Sequence, residues 1–158
     1  MQRPTCSIAL LCSLLFLQAC STALPEYNRD SYAFVSYSSE ASIGYYSGDA
    51  CEDIDIDHIV SLADAHESGA ALWSDAKKAL FANDRSNHVA ACASINRSKG
   101  SSTPSDFLRK SADGAGVEFS FVDFCGYVAE YVAVKKSYSL LINEDDLVLL
   151  QNCINYKL

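Results

Sequence analysis

Residues 52–60 read EDIDIDHIV, a stretch that combines a strand pattern with reactive side chains. Its acidic and apolar residues alternate, which is the pattern of a β-strand that turns one face toward a core. Asp57 and His58, near its end, place a carboxylate beside an imidazole, and together they suit hydrolysis of a phosphodiester. Alternation sends neighbouring side chains to opposite faces, so we expect a bend or bulge that lets both reach one site.

A second stretch lies at residues 81–100 and reads FANDRSNHVAACASINRSKG. Its polar NDRSN run predicts a turn, residues 88–93 fit a second strand, and residues 94–100 start a short helix that stops at a glycine. The residues between the two strands, 61–82, have helical spacing, with Ser61 as a plausible N-cap. The predicted order is therefore strand, helical insertion, strand and helix.

Additional helices are predicted toward the C-terminus. Thr103 and Pro104 open one helix, because proline is favoured at the first helical position. Residues 124–138 carry apolar residues at helical spacing. Asn143 can cap a last helix over residues 144–155, whose first turn is acidic. The fold class expected from these elements is α+β.

The N-terminus has the features of an export signal. Residues 7–17 form an apolar run that is too short to span a bilayer and has the length of a signal-peptide core. Cys20 follows Leu-Gln-Ala, as in a lipobox, and is the candidate lipidation site. Small residues at 21–23 offer ordinary signal-peptidase cleavage as the alternative. We assign residues 1–20 to a signal peptide, of the lipoprotein type by the favoured interpretation.

Two further segments complete the predicted organisation. Residues 21–50 are rich in Ser and Tyr and are interpreted as a linker or loosely structured lead-in. Residues 51–158 form the predicted domain. The chain has seven cysteines. Four of these cysteines lie in the predicted domain, and their even number favours two disulfides formed in an oxidising compartment. Three pairings are possible among Cys51, Cys92, Cys125 and Cys153.

The charge is unevenly distributed along the chain. The formal net charge is −8, which argues mildly against a nucleic-acid binder. Residues 26–75 hold eleven acids and a single base, Arg29, whereas residues 76–110 hold seven bases and two acids. The cationic segment is therefore the one that carries the second predicted strand and helix.

Three polar residues of the cationic segment add to the candidate site. Asn96 is a neutral oxygen donor of the kind that suits Mg²⁺, which takes few protein ligands. Lys99 lies three residues later, on the same helical face, and could contact a phosphate. Arg97 is a further candidate for phosphate contact, although a solvated position is the default for such a residue.

These motifs together resemble a known family. The DHIV of residues 57–60, the LADAHESGA-containing segment after it, the FAND motif and N-R-S-K-G resemble an HNH endonuclease subfamily. That subfamily occurs in exported bacterial proteins and is related to the C-terminal domain of GmrSD-type restriction enzymes. The spacing of Asn87, Asn96 and Lys99 also resembles the HNH domain of CRISPR effector nucleases. The resemblance covers roughly residues 51–158.

The resemblance implies a ββα-metal (HNH, or His-Me finger) core with a helical insertion between its strands and additional C-terminal helices. It implies that His58 is the general base, that Asp57 and Asn96 hold a metal, and that Asn87 braces the metal loop and orients the base. The third residue of the HNH motif is often His, and in this chain the corresponding residue is Asn96. Mg²⁺ or Mn²⁺ therefore suits the site better than zinc does.

The function expected from these residues is metal-dependent endonuclease activity of low sequence specificity, on DNA in preference to RNA. We expect a monomer that is exported to the periplasm, attached to a membrane through a lipid anchor, or secreted. One alternative is a catalytically inactive exported lipoprotein module with an HNH-like fold, used for envelope interaction. Another is a secreted toxin nuclease with an immunity partner.

Overall fold

The computed structural model describes residues 23–112 and 119–156, without the side chains of 109–112 and 156. The predicted signal peptide and Cys20 lie outside the described residues. Two strands and six helices are formed in these ranges, with short 3-10 helices at Arg29–Tyr32, Ala70–Leu72 and Arg85–Asn87. The longer elements are β1 (Ile54–His58), α1 (Leu62–Glu67), α2 (Asp75–Ala82), β2 (His88–Cys92), α3 (Ala93–Lys99), α4 (Pro104–Ala112), α5 (Phe124–Ser137) and α6 (Glu144–Tyr156).

The two strands pair as an antiparallel ladder without a bulge. The register runs regularly from Ile54 opposite Cys92 to His58 opposite His88. The bulge expected at Asp57 and His58 is therefore wrong. It is not required, because β1 ends at His58 and the side chains of both faces reach the cleft at that end of the strand.

The insertion between the strands is helical, as its periodicity predicted. Ser61 begins α1 as an N-cap, and its hydroxyl accepts a hydrogen bond of 3.0 Å from the backbone N–H of Asp64. The insertion is tied to α5 at the same aspartate. Lys135 Nζ lies 2.7 Å from the Asp64 carboxylate, and the Tyr131 hydroxyl donates to it over 2.8 Å. These buried contacts hold the insertion against the C-terminal helices.

The lead-in is packed against the domain. Tyr32 and Tyr46 are fully or almost fully buried, and the N–H of Tyr45 donates to the carbonyl of Ala90 in β2 over 2.8 Å. The interpretation as a linker rested on Ser and Tyr content. The tyrosines are what anchor the segment, because each buries a large ring and keeps a hydroxyl for hydrogen bonding.

The four cysteines of the predicted domain form two disulfides, as expected from their even number. Cys51 pairs with Cys92 at one end of the strand ladder, and Cys125 pairs with Cys153 between α5 and α6. The structure thus selects one of the three pairings that the sequence left open.

The core lies between the ladder and the C-terminal helices. Aromatic rings dominate it, and Tyr46 makes edge contacts with Phe107 and Tyr127 at centroid distances of 5.4 and 5.3 Å. Within residues 23–112 and 119–156, no helix has the length and apolar character needed to cross a membrane. The α+β class is confirmed, and the order strand, helical insertion, strand, helix is the one expected.

Candidate active site

A cleft opens at the carboxyl end of β1 and has a volume of about 300 Å³. Of the residues predicted to act together, it brings together Asp57 and His58 from β1 with Asn96 and Arg97 from α3. Arg29, from the lead-in, lines the same cleft. We refer to this space, which Tyr27, Ile56, Ser61, Leu62, Ala63, Gly100 and Ser101 also line, as the β1 cleft.

His58 is held tightly at the base of the β1 cleft. Its side chain is 5% exposed, and its ring makes edge contacts with Phe34 and His88 at centroid distances of 4.7 and 4.5 Å. Nε2 lies 2.8 Å from the carbonyl oxygen of Ala82. A carbonyl can only accept, so Nε2 carries the proton and donates, and the neutral ring keeps a lone pair on Nδ1.

The surroundings of His58 favour the neutral imidazole. Burial lowers the pKa of His58 from 6.5 to about 4, because desolvation penalises the charged ring. The hydrogen bond to Ala82 opposes this shift, whereas the positive charges of His88, Arg29 and Lys99 add to it. Near neutral pH the ring is therefore unprotonated on Nδ1, which is the state that a general base requires.

Asp57 is the centre of a buried polar cluster. Lys99 Nζ lies 2.9 Å from Oδ2 and 3.2 Å from Oδ1, and the Tyr46 hydroxyl donates to Oδ2 over 2.5 Å. Lys99 also donates to the carbonyl oxygen of His58 over 2.8 Å. Burial and the nearby Asp57 charge raise the pKa of Tyr46 well above its ordinary value, so its hydroxyl stays a donor.

The phosphate contact expected of Lys99 is not what the structure has. Its side chain is 0% exposed and does not line the β1 cleft. The physical reason is the buried carboxylate of Asp57, which requires a compensating cation more strongly than a solvated phosphate does. Helical spacing alone could not distinguish these two partners of Lys99.

The side chain of Asn96 bonds to β1 through Asp55. Its Nδ2 donates over 3.4 Å to a carboxylate oxygen of Asp55, which leaves the amide oxygen of Asn96 free to accept. Oδ1 of Asp57 accepts only from Lys99, over 3.2 Å, among the hydrogen bonds of the described residues. A carboxylate oxygen can accept more than one bond, so Oδ1 can still take a further ligand. One carboxylate and one amide oxygen in the same cleft match the hard oxygen ligands that Mg²⁺ prefers, and its remaining positions are usually filled by water.

Clusters of the more usual metal-ligating side chains are missing from the described part of the chain. No group of three or more His, Cys, Asp or Glu side chains is placed there to hold a metal ion. Two oxygen donors, those of Asp57 and Asn96, are the predicted metal ligands in the β1 cleft. This is the ligand number that magnesium sites use and fewer than a structural zinc site requires.

Asn87 lies just before β2 and connects the start of this strand with the residues that follow β1. It is 0% exposed, and its side chain forms two hydrogen bonds with the backbone of Val60, of 2.8 and 3.0 Å. Its carbonyl accepts from the N–H of Ile59 over 2.8 Å. These bonds fix the chain immediately after His58. The part that Asn87 plays in catalysis stays a prediction.

Several residues that line or support the site were not predicted from the sequence. Arg29 was placed in the lead-in, although it is the single base of residues 26–75 and that isolation was a usable signal. Tyr46 could not be connected with Asp57, because nothing local joins them. His88 also belongs to the site, because its ring packs on that of His58 and its Nε2 shares the carbonyl of Ala82 over 3.0 Å.

Comparison with known proteins finds a similarity over about two thirds of the chain. Over 108 residues the chain is 31% identical to an uncharacterized secreted protein of Arthroderma benhamiae. The aligned part is 67% of this chain and 48% of the relative, so the chain spans about half of that protein's length. No family model matches the chain, and no solved structure matches it either.

Proposed function

We propose that the chain is a metal-dependent endonuclease that hydrolyses phosphodiester bonds in nucleic acid. The observation that carries the proposal is the β1 cleft itself. A neutral, fixed imidazole lies there next to the oxygen ligands Asp57 and Asn96 and the cation Arg97. The observed strand, insertion, strand and helix order supports an HNH-type core, which we propose as the identity of this part of the fold.

His58 is the proposed general base. With Nε2–H donated to Ala82, its basic Nδ1 takes a proton from the attacking water. The bond to Ala82 keeps the tautomer and the ring orientation through the reaction, as a fixed acceptor does for other catalytic histidines. Asn87 holds the chain after His58 through Val60 and thereby keeps the ring in place.

Asp57 and Asn96 are the proposed ligands of Mg²⁺ or Mn²⁺. When bound, such an ion supplies stabilisation of the negative charge that develops on the phosphate and on the leaving oxygen. Lys99 and Tyr46 hold the Asp57 carboxylate in position, because both bond to it from within the core. Lys99 is thus proposed to be a positioning residue for the metal ligand.

DNA is the favoured substrate, with RNA as the second possibility. The chain carries a net charge of −8, so binding should be weak and should fall with added salt. A cleft of this size offers little room for reading base edges, which supports low sequence specificity. Two disulfides and a relative named as a secreted protein support an exported location.

The test is nicking of supercoiled plasmid by the full chain, produced through an oxidising secretory route and purified with both disulfides intact. Wild-type protein is compared in Mg²⁺, Mn²⁺ and EDTA with His58→Ala and His58→Gln. The glutamine variant can still donate to Ala82 but cannot act as a base. Exposed Lys136→Ala, on α5, is the matched control.

We expect metal-dependent nicking by the wild type and the control, and a loss of about a hundredfold or more in both His58 variants. Circular dichroism and thermal melting establish that the variants are folded. Activity retained in folded His58→Gln would remove His58 from the role of base. No nicking of any nucleic acid by the wild type would contradict the nuclease proposal.

A catalytically inactive exported module is the second candidate. The buried pair of Lys99 and Asp57 favours it, because this carboxylate is already neutralised by a side chain. A purely structural ion pair would look the same. Under this alternative, the wild type fails to nick in every metal tested, and added Mg²⁺ leaves its melting temperature unchanged.

A further inference from the structure

The charge of the β1 cleft differs in sign from that of the whole chain. Its charged lining residues are Arg29, Asp57 and Arg97. Asp57 is balanced by Lys99 in the buried ion pair. The charges left over in the cleft are therefore the two guanidinium groups, in a protein whose net charge is −8. Such a cleft attracts an anion, although the net charge of the chain is negative.

Arg29 is available to such an anion. It is exposed at the start of the first 3-10 helix, and among the residues that the structure describes no carboxylate forms an ion pair with it. A guanidinium presents several donors in a planar arrangement that matches phosphate oxygens. Arg97, on α3, brings a second such group to the same cleft.

The segment that carries Arg29 is fixed on both sides. On the N-terminal side, His66 Nε2–H donates to the carbonyl of Pro25 over 2.8 Å. Three residues after Arg29, the Tyr32 hydroxyl donates to Nδ1 of the same ring over 3.2 Å. On the C-terminal side, Val35 N–H donates over 2.9 Å to the Oδ1 of Asn83. Arg29 therefore belongs to a segment that hydrogen bonds hold in place on both sides. Little backbone freedom has to be lost when its side chain binds an anion.

We propose that Arg29 is a substrate-binding residue that, together with Arg97, holds a backbone phosphate of the nucleic acid in the β1 cleft. The inference rests on the proposed function and extends it, because it makes the lead-in part of the substrate site. The phosphate is bound by guanidinium groups from two elements that are far apart in sequence. His58 lines the same cleft.

The test is equilibrium binding of a fluorescein-labelled single-stranded oligonucleotide and of a labelled hairpin duplex, measured by anisotropy in EDTA over a range of salt. Arg29→Gln and Arg29→Lys are compared with Arg85→Gln. Arg85 is the matched control, because its guanidinium stacks 3.3 Å from the centre of the Tyr37 ring and does not line the cleft. Both glutamine variants lose one positive charge, so an effect of overall charge alone would appear in both.

We expect Arg29→Gln to weaken binding roughly tenfold at low salt, as for loss of a hydrogen bond to a charged group. The slope of log affinity against log salt should fall by about one. Arg29→Lys should restore the slope but only part of the affinity, and Arg85→Gln should change neither. Melting curves should coincide for all variants, because both arginines are exposed.

Two outcomes would overturn the inference, and they differ. If wild-type protein nicks plasmid but Arg29→Gln binds as Arg85→Gln does, the nuclease proposal stands and the role of Arg29 fails. If wild-type protein neither nicks nor binds any of the probes, the proposed function fails and the substrate role of Arg29 fails with it.

Discussion

Because of His58, the free energy of unfolding should depend on pH in the acidic range. The pKa of His58 is about 4 in the folded chain and near 6.5 when unfolded, so between these values the unfolded chain binds a proton that the folded chain does not. The contribution of His58 is therefore fully present above about pH 6.5 and is lost as the pH falls toward 4. It amounts to about 3 kcal/mol at most.

Urea unfolding at a series of pH values between about 7 and 4 measures this directly. The free energy of unfolding should fall across that range in the wild type and much less in His58→Gln, whose side chain does not titrate. His88 adds to the fall in both proteins, since burial lowers its pKa too. Equal slopes in the two proteins would show that His58 is not the group responsible.

Lys99 is a second residue whose removal is informative. Lys99→Met leaves the Asp57 carboxylate buried without its cation, which should cost about 3–5 kcal/mol. If Asp57 also takes a divalent cation, Mg²⁺ binds the folded variant and raises its melting temperature. The rise should be larger in Lys99→Met than in the wild type, because the carboxylate is then without a competing partner.

Lys135→Met is the control for that experiment. It removes the cation of the other buried ion pair, at Asp64, where no metal is proposed. Its loss of stability should be similar and should not respond to Mg²⁺. A melting temperature that Mg²⁺ leaves unchanged in Lys99→Met would contradict a metal site at Asp57, independently of any activity measurement.

Among the elements, the turn that precedes β1 is constrained by a disulfide. A Cβ at Gly44 would lie 2.7 Å from the Sγ of Cys92 and 2.8 Å from that of Cys51. Gly44→Ala must therefore displace the disulfide or the lead-in, at a cost of about 1–3 kcal/mol. The cost should shrink in a Cys51→Ala/Cys92→Ala background, where both sulfur atoms are gone.

A double-mutant cycle measured by urea unfolding gives the coupling between glycine and disulfide. Additive effects would mean that Gly44 is required for its backbone conformation alone. Coupling of about 1 kcal/mol or more would show that the disulfide and the lead-in pack as one unit. The unit matters for the site, because Tyr46, two residues later, bonds to Asp57.

At the scale of the whole molecule, local patterns predicted the elements well. The alternation in residues 52–60 predicted a strand close to where β1 forms. The caps Ser61 and Asn143 predicted the starts of two helices, α1 and α6. Such signals involve neighbours in sequence, so one chain is enough to read them. The four cysteines likewise predicted two disulfides, although not their pairing.

Contacts between distant segments could not be predicted in this way. Lys99 and Asp57 form an ion pair although they are 42 residues apart in sequence, and the hydrogen-bonded Tyr32 and His66 are 34 residues apart. No local spacing encodes these pairs, and that is why Lys99 was assigned to phosphate and the lead-in to a linker. The grouping of Asp57, His58, Asn96 and Arg97 rested on the resemblance of their motifs, and β1 and α3 bring all four residues to one cleft.

The disulfide between Cys51 and Cys92 has a consequence for resistance to proteolysis. It closes a ring that contains β1, the whole insertion and β2, with His58, Asp57 and Asn87 inside. A protease that cut one exposed peptide bond in the insertion, for example beside Gly69, would leave the two fragments covalently joined. The nicked chain could then keep its strand ladder and the residues at its end, because neither fragment would be free to diffuse away.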